Sequence, residues 1–214
     1  MADLGFREYS EIPDGLLEIE PTRLQELLGG PALIHLEGIR KDILFVSVML
    51  HGNETTGLLA MQKLLRQYAE RELPRSLSVF IGNVAAASKG VRALPGQADY
   101  NRIWGIGDTP EHHMTHSIME SMKKRDVFAA IDIHNNTGKN PHFALICRHD
   151  SNIYRLATLF GRTVVYTLKP DTTSTYGMSD FCPAVTIECG LPGDQYGVDH
   201  AVEYIDACLH LSQF

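Results

Sequence analysis

The sequence contains no apolar run approaching the ~18 residues that a membrane-crossing helix needs, so a helical span is excluded and no membrane partner is expected. Its opening stretch, MADLGFREYSEIPDG, lacks a basic segment followed by an apolar one; no secretory leader is expected, and the chain is read as cytoplasmic. Cysteine is scarce. The four present (Cys147, Cys182, Cys189, Cys208) form no CxxC pair and three lie among apolar residues, which points to buried free thiols and away from disulfides or a zinc ribbon. Basic clustering is also missing: 19 Lys and Arg stand against 26 Asp and Glu, and Lys123-Lys124-Arg125 is the one basic triplet. Affinity for nucleic acid rests on neutralising phosphates, so nucleic acid is excluded as a main partner. A small acidic substrate needs only a few local cations and stays open. Neither a GxSxG elbow nor a P-loop occurs, which removes serine-hydrolase and nucleotide-hydrolysing readings.

What is present suits a globular enzyme. With 214 residues, 44% of them hydrophobic, the chain can bury a sizeable core, and a single domain over 1–214 is expected. There is no internal repeat; an oligomer is compatible with the composition. Thr22-Arg23-Leu24-Gln25 has the capping-box pattern and Gly29-Gly30 closes a short helix. ALIHLEG (32–38) and DILFVSVML (42–50) flank Ile39-Arg40-Lys41-Asp42 and read as a hairpin. A helix with Leu58, Met61, Leu64 and Leu65 on one face follows, capped by Thr55 or Thr56; then come a strand at 77–84 and a loop over 85–105. Thr109-Pro110-Glu111 starts another helix, with Met114, Ile118 and Met122 as its buried stripe. Strands are expected at 129–134, 143–147, 163–168 and 184–190, and helices at 152–160 and 199–212. Helices alternating with β-branched runs mean an α/β sheet covered on both faces, and the hairpin would make it mixed.

Ligands of open α/β sheets bind beyond the carboxyl ends of the strands. Polar residues interrupt apolar strands there in three places: His51 and Glu54, Asp132 and His134, and Glu188. Two imidazoles and a carboxylate fit zinc held as His₂Glu, a set that leaves a fourth position for water. Gly52 would swing the chain out of the strand so that His51 and Glu54, on the first turn of the next helix, converge on one point. His134 would complete the set, and Asp132, two residues earlier on the same strand face, would orient an imidazole. Each signal has a plain alternative: His51 and Glu54 as a surface turn, Glu188 as a carboxylate bonded to loop amides, Asp132 and His134 as a satisfied strand end. Their coincidence at strand ends favours the metal, because buried carboxylates are costly without partners. His112, His113 and His116 sit at chelating spacings on one helix, but a solvated face is the preferred reading.

HGNE (51–54), DYNR (99–102), DIHNN (132–136) and TIECG (186–190) together resemble the zinc carboxypeptidase superfamily, in particular its aspartoacylase and succinylglutamate desuccinylase branch. The resemblance implies a three-layer α/β/α sandwich around a mixed, mostly parallel sheet, and one zinc ion (Zn2+) per chain on His51, Glu54 and His134. It implies that Glu188 is the general base and Arg92 steadies an oxyanion. It also implies that Asn101 and Arg102 grip a substrate carboxylate. Asn135 and Tyr176 are taken as further substrate contacts, with the polar 170–187 stretch either a lid or a plain surface loop.

The sequence departs from the family pattern in three respects. The spacing from Arg92 to Asn101 is two residues longer than usual, a small β-rich domain after the last helix is not expected, and 170–187 holds no Lys or Arg. The expected activity is hydrolysis of an amide bond in a small carboxylate-bearing substrate, of the N-acyl amino acid deacylase type. A metallocarboxypeptidase acting on short peptides is the alternative, and a zinc- or carboxylate-binding module without turnover is the reading from another class.

Overall fold

Period-two burial along the strands sets the layers. In β3 (Gly38–Val48), Leu44, Val46 and Val48 enter one core and Phe45 the other. In β4 (Leu73–Ile81), Leu77, Val79 and Ile81 join the first core and Phe80 the second; in β5 (Val127–His134), Ala129, Ile131 and Ile133 join the first and Ala130 the second. Strands apolar on both faces require cover on both. The first core is closed by α1 (Leu24–Leu28), α2 (Thr56–Gln67), α5 (Ser151–Phe160) and α7 (Gln195–His210). The second is closed by α4 (Pro110–Lys123), α6 (Ser174–Met178) and the segment bearing Tyr100, Ile103 and Trp104. Trp104 stands edge-on to Phe45 and Phe80, with ring centroids 6.5 and 5.9 Å away. The result is the expected α/β/α sandwich. The structure, a computed structural model, describes residues 5–214; residues 1–4, part of the stretch read for a leader, lie outside the described residues.

One eight-stranded sheet runs in the order β1-β2-β4-β3-β5-β8-β6-β7, where β1 is Arg7–Tyr9, β2 Ala32–Leu36, β6 Phe143–Ile146, β7 Val164–Tyr166 and β8 Ala184–Glu188. The expected hairpin over 32–50 does not form. β4 lies between β2 and β3, antiparallel to the first and parallel to the second, and Ile39-Arg40-Lys41-Asp42 belongs to β3 itself. The physical reason is visible at the β3–β4 seam. Arg75 of β4, with a side chain 0% exposed, is ion-paired with Asp42 and lies over the Phe128 ring at 3.6 Å. Gly38 also presses on the Arg75 backbone so closely that a Cβ would fall 2.3 Å from its carbonyl carbon. The sheet is mixed as expected, but its antiparallel pairs are β2–β4 and β6–β8.

Smaller differences trace to capping. No side chain caps α1, which follows a 3₁₀ turn over Pro21–Arg23, although Gly29 ends it at φ 71° as expected. Thr55 precedes α2 without a side-chain cap bond. A one-turn helix, α3 (Val84–Ala87), occupies part of the expected loop because the Asn83 side chain accepts from Ala86 N. Asp194, accepting from Tyr196 N, starts α7 earlier than the apolar pattern suggests. All four cysteines are free and buried. Among the described residues, no helix is long and apolar enough to cross a membrane.

Candidate active site

Along β3, β5 and β8 the residues that alternate with the first-core set turn polar toward the carboxyl ends. The ladder aligns Ser47 with Asp132, Asp132 with Thr186, and His134 with Glu188. Inter-strand pairing thus gathers side chains distant in sequence into one corner on the second-core face. Here Ser47 donates to Asp132 Oδ1 at 2.7 Å. α6 roofs this corner: Ser174 N donates to Asn101 Oδ1 at 2.9 Å, and the Thr175 and Thr186 hydroxyls meet at 2.6 Å. These buried contacts tie the 170–187 stretch down at Ser174, Thr175 and Thr186.

β3 leaves the sheet through Met49, whose φ of 58° is in the left-handed region that a non-glycine residue rarely occupies. This is where the chain swings outward; Gly52 supplies space instead of conformational freedom. A Cβ on Gly52 would lie 2.2 Å from Ala87 N and 2.3 Å from the Ala86 carbonyl carbon. Overpacking against backbone costs about 1–3 kcal/mol, so Gly52→Ala is expected to lower unfolding stability at the upper end of that range. Urea denaturation checks it, and a loss under roughly 0.5 kcal/mol, typical of an unconstrained surface position, would contradict the steric account. Glu54 lies before α2 rather than on its first turn.

His51, Glu54 and His134 are all buried, and their ligand atoms lie within 4.8 Å of one another. Among the described residues this is the one group of three or more such side chains, so His112, His113 and His116 form no site. Those three instead bond to Thr109, Asp108 and Gly105 O respectively. Each imidazole of the central group is anchored through Nε2 by a carboxylate: His51 by Asp99 Oδ1 at 2.9 Å and His134 by Asp132 Oδ2 at 2.8 Å. A neutral ring donating from Nε2 presents a lone pair at Nδ1. Both Nδ1 atoms point at Glu54, His51 Nδ1 at 2.8 Å from Oε1 and His134 Nδ1 at 2.6 Å from Oε2. The His51 contact lacks hydrogen-bond geometry, leaving a buried nitrogen without a partner. Two imidazole Nδ1 atoms and a carboxylate converging at this range could hold a metal ion, and the donor set suits zinc.

The electrostatics follow the same geometry. Burial pushes the Glu54 carboxyl up, but the His134 and His51 imidazoles outweigh it and hold Glu54 well below the usual carboxylate range. His134 is driven down by burial and more strongly up by Asp132 and Glu54, for a net rise well above the ordinary imidazole value. Asp99, despite its own burial, is held low by His51, the Asn101 backbone amide and Arg92. Glu188 behaves oppositely: burial raises its carboxyl above the ordinary value, and one of its oxygens, Oε2, is buried with no partner among the described residues.

The other expected residues divide. Arg92 reaches the site, donating to Glu54 Oε1 at 3.2 Å and Asp99 Oδ2 at 3.1 Å with its side chain 49% exposed. Its loop is stapled by the reciprocal amide pair of Asn83 and Gln97. Asn101 sits against His134 Nε2 at 3.1 Å, and Arg102 donates to Asn101 O at 2.6 Å from an exposed position. Asn135 touches the cavity, but its amide is consumed by Thr56 and Gly190 O, so it clamps the loops that flank the site. Tyr176 is not brought in; its ring faces Arg148 at 5.6 Å and lies outside the cavity lining. Asp99 was not among the expected site residues, though it heads the DYNR motif; its signal is a carboxylate two residues before Asn101, meaningful only once that loop is known to face His51.

These groups open onto a cavity of about 220 Å³ lined by His51, Glu54, Arg92, Arg102, His134 and Glu188 among others. A family model described as the succinylglutamate desuccinylase/aspartoacylase catalytic domain matches residues 42–201. No curated protein sequence matches the chain. Among solved structures, the fold is similar to succinylglutamate desuccinylase from Chromobacterium violaceum, with a TM-score of 0.66, 19% identity, and coverage of 81% of this chain and 62% of that one. It is similar to a metallo-carboxypeptidase from Burkholderia cenocepacia (TM-score 0.62, 15% identity, 83% and 60% covered). A product-bound ectoine utilization protein EutE (DoeB) from Ruegeria pomeroyi also matches (TM-score 0.65, 18% identity, 83% and 59% covered). At these identities the likeness is one of fold, and the chain spans 59–62% of the length of these three relatives.

Proposed function

The chain belongs to the succinylglutamate desuccinylase/aspartoacylase catalytic-domain family, and from that premise we propose that it is a zinc-dependent hydrolase cleaving an amide bond in a small carboxylate-bearing substrate, of the N-acyl amino acid deacylase type. The observation that carries the reading is the convergence of His51 Nδ1, His134 Nδ1 and the Glu54 carboxylate, with both rings braced from behind by aspartates. A carboxylate behind each imidazole fixes its tautomer and raises its basicity as a metal ligand. His51, Glu54 and His134 would hold the zinc, which would supply a Lewis acid for the scissile carbonyl and a lowered pKa for water.

The remaining work falls to side chains of this chain. Glu188 lies next to His134 in register with a free, buried oxygen, and its raised proton affinity suits a group that takes a proton from the attacking water and passes it to the leaving nitrogen. Arg92 places a guanidinium beside Glu54, where it can stabilise negative charge developing on the carbonyl oxygen. Arg102 offers a planar fork to the substrate carboxylate. Small-molecule turnover in the cytoplasm belongs to the same proposal.

The test is to determine bound metal per chain and then screen N-acyl amino acids and dipeptides. Turnover of the acyl amino acids supports the deacylase; turnover of dipeptides alone supports the carboxypeptidase; metal without turnover across the panel supports a binding module and sinks the enzyme reading. Arg102→Gln is expected to raise KM while kcat stays near wild type. Losing a hydrogen-bonded charge contact costs about 1.5–3 kcal/mol, roughly 10- to 150-fold in kcat/KM. A fall confined to kcat would move Arg102 from binding to chemistry.

A further inference from the structure

The positive charges around the cavity are mostly committed, and counting them constrains the substrate. Arg92 donates to both Glu54 and Asp99. Lys169, on the rim, is ion-paired with Asp171. Among the described lining residues, Arg102 is the one Lys or Arg with no carboxylate partner; its guanidinium is bonded only to a backbone carbonyl. The rest of the wall comes from the ends of β6 and β7, from α6 and from β8, and it is uncharged: Leu145, Cys147, Thr167, Thr175 and Thr186. Its polar atoms satisfy one another or nearby backbone. The Thr175 and Thr186 hydroxyls pair at 2.6 Å, Cys147 Sγ meets Ser179 Oγ at 3.3 Å, and Thr167 donates to Lys169 O at 2.8 Å.

A carboxylate seated against that wall would be stripped of water without a cation to receive it, in a cavity that already holds Glu54 and Glu188. A small neutral group meets no such penalty, because the wall carries no charge that it would have to match. Resting on the deacylase reading above, we propose that the substrate carries one carboxylate, held by Arg102, and an uncharged second group against the Cys147, Thr175 and Thr186 wall. The substrate class is an N-acyl amino acid with a neutral acyl group and a neutral side chain. Succinylated and acidic amino acids, which bring a second carboxylate, are discriminated against.

The experiment compares kcat/KM of the metal-loaded enzyme for N-acetyl-leucine and N-acetyl-threonine with that for N-acetyl-aspartate and N-succinyl-glutamate. A preference of tenfold or more for either neutral substrate over both dicarboxylates supports the inference; equal or faster turnover of either dicarboxylate overturns it. Asp171→Asn, outside the cavity, releases Lys169 and should raise the relative rate on the dicarboxylates about threefold or more. A ratio left at the wild-type value overturns the charge count on which the inference rests. If no compound is cleaved, the deacylase reading falls, and calorimetric binding of N-acetyl-leucine and N-succinyl-glutamate decides the rest. A tenfold lower Kd for the monocarboxylate supports the substrate class; the reverse order, equal affinity, or no binding of either overturns it.

Discussion

Glu188→Gln is expected to lower kcat by about 10²- to 10⁴-fold, the range a positioned proton-transfer group contributes, with bound metal unchanged. The substitution keeps shape and volume, so the β8 ladder that sets the residue beside His134 should be intact. What it removes is the ability to accept a proton at a buried oxygen with no hydrogen-bond partner among the described residues. Glu188 stands outside the His51, Glu54 and His134 group, which is why metal content serves as the control. Turnover unchanged from wild type would sink the general-base role. Loss of metal would instead make Glu188 a ligand.

His134→Ala should be the more damaging change to the molecule as a whole. It deletes one of the three side chains proposed to hold the metal and strips Asp132, buried and bonded to Ser47, of its imidazole partner. Losing a hydrogen bond to a buried carboxylate costs about 1.5–3 kcal/mol. To that is added the stabilisation a bound ion contributes by mass action, about 2.7 kcal/mol when free metal is a hundredfold above its Kd. Thermal melts with and without chelator separate the two parts. Wild type should lose stability on chelation, while His134→Ala should start lower and respond little. A chain that keeps its metal after His51→Ala combined with His134→Ala would overturn the ligand assignment.

How much of this was legible beforehand depended on whether the signal was local. The apolar runs ending at Val48, His134 and Glu188 declared their strands, and polar residues at the ends of such runs declared the corner where they meet. Pairing was not legible, because β3 finds its neighbours β4 and β5 through crossovers and nothing in Ile39-Arg40-Lys41-Asp42 reports the buried Arg75 that fixes the seam. Spacing marks Gly52 for its conformational freedom, whereas the fold uses its lack of a Cβ; closeness to the Ala86–Ala87 backbone cannot be read from spacing. Asn135 and Tyr176 lie near the right motifs, yet one amide is spent on Thr56 and Gly190 and the other ring turns to Arg148. Asp99 was overlooked for the converse reason: its importance arises only from the loop that lays it against His51.

The insertion of β4 between β2 and β3 also sets a timetable. His51 and His134 are carried by adjacent strands joined through long crossovers, so the two rings cannot approach until the centre of the sheet has closed. Contacts of such high sequence separation form late and slowly, since loop-closure entropy is spent before they are made. A metal ion held as proposed by His51, Glu54 and His134 would find its three ligands gathered only once these strands have paired. Such an ion would fasten a sheet that has already found its register, and so act on how long the native state lasts rather than on how fast it is reached.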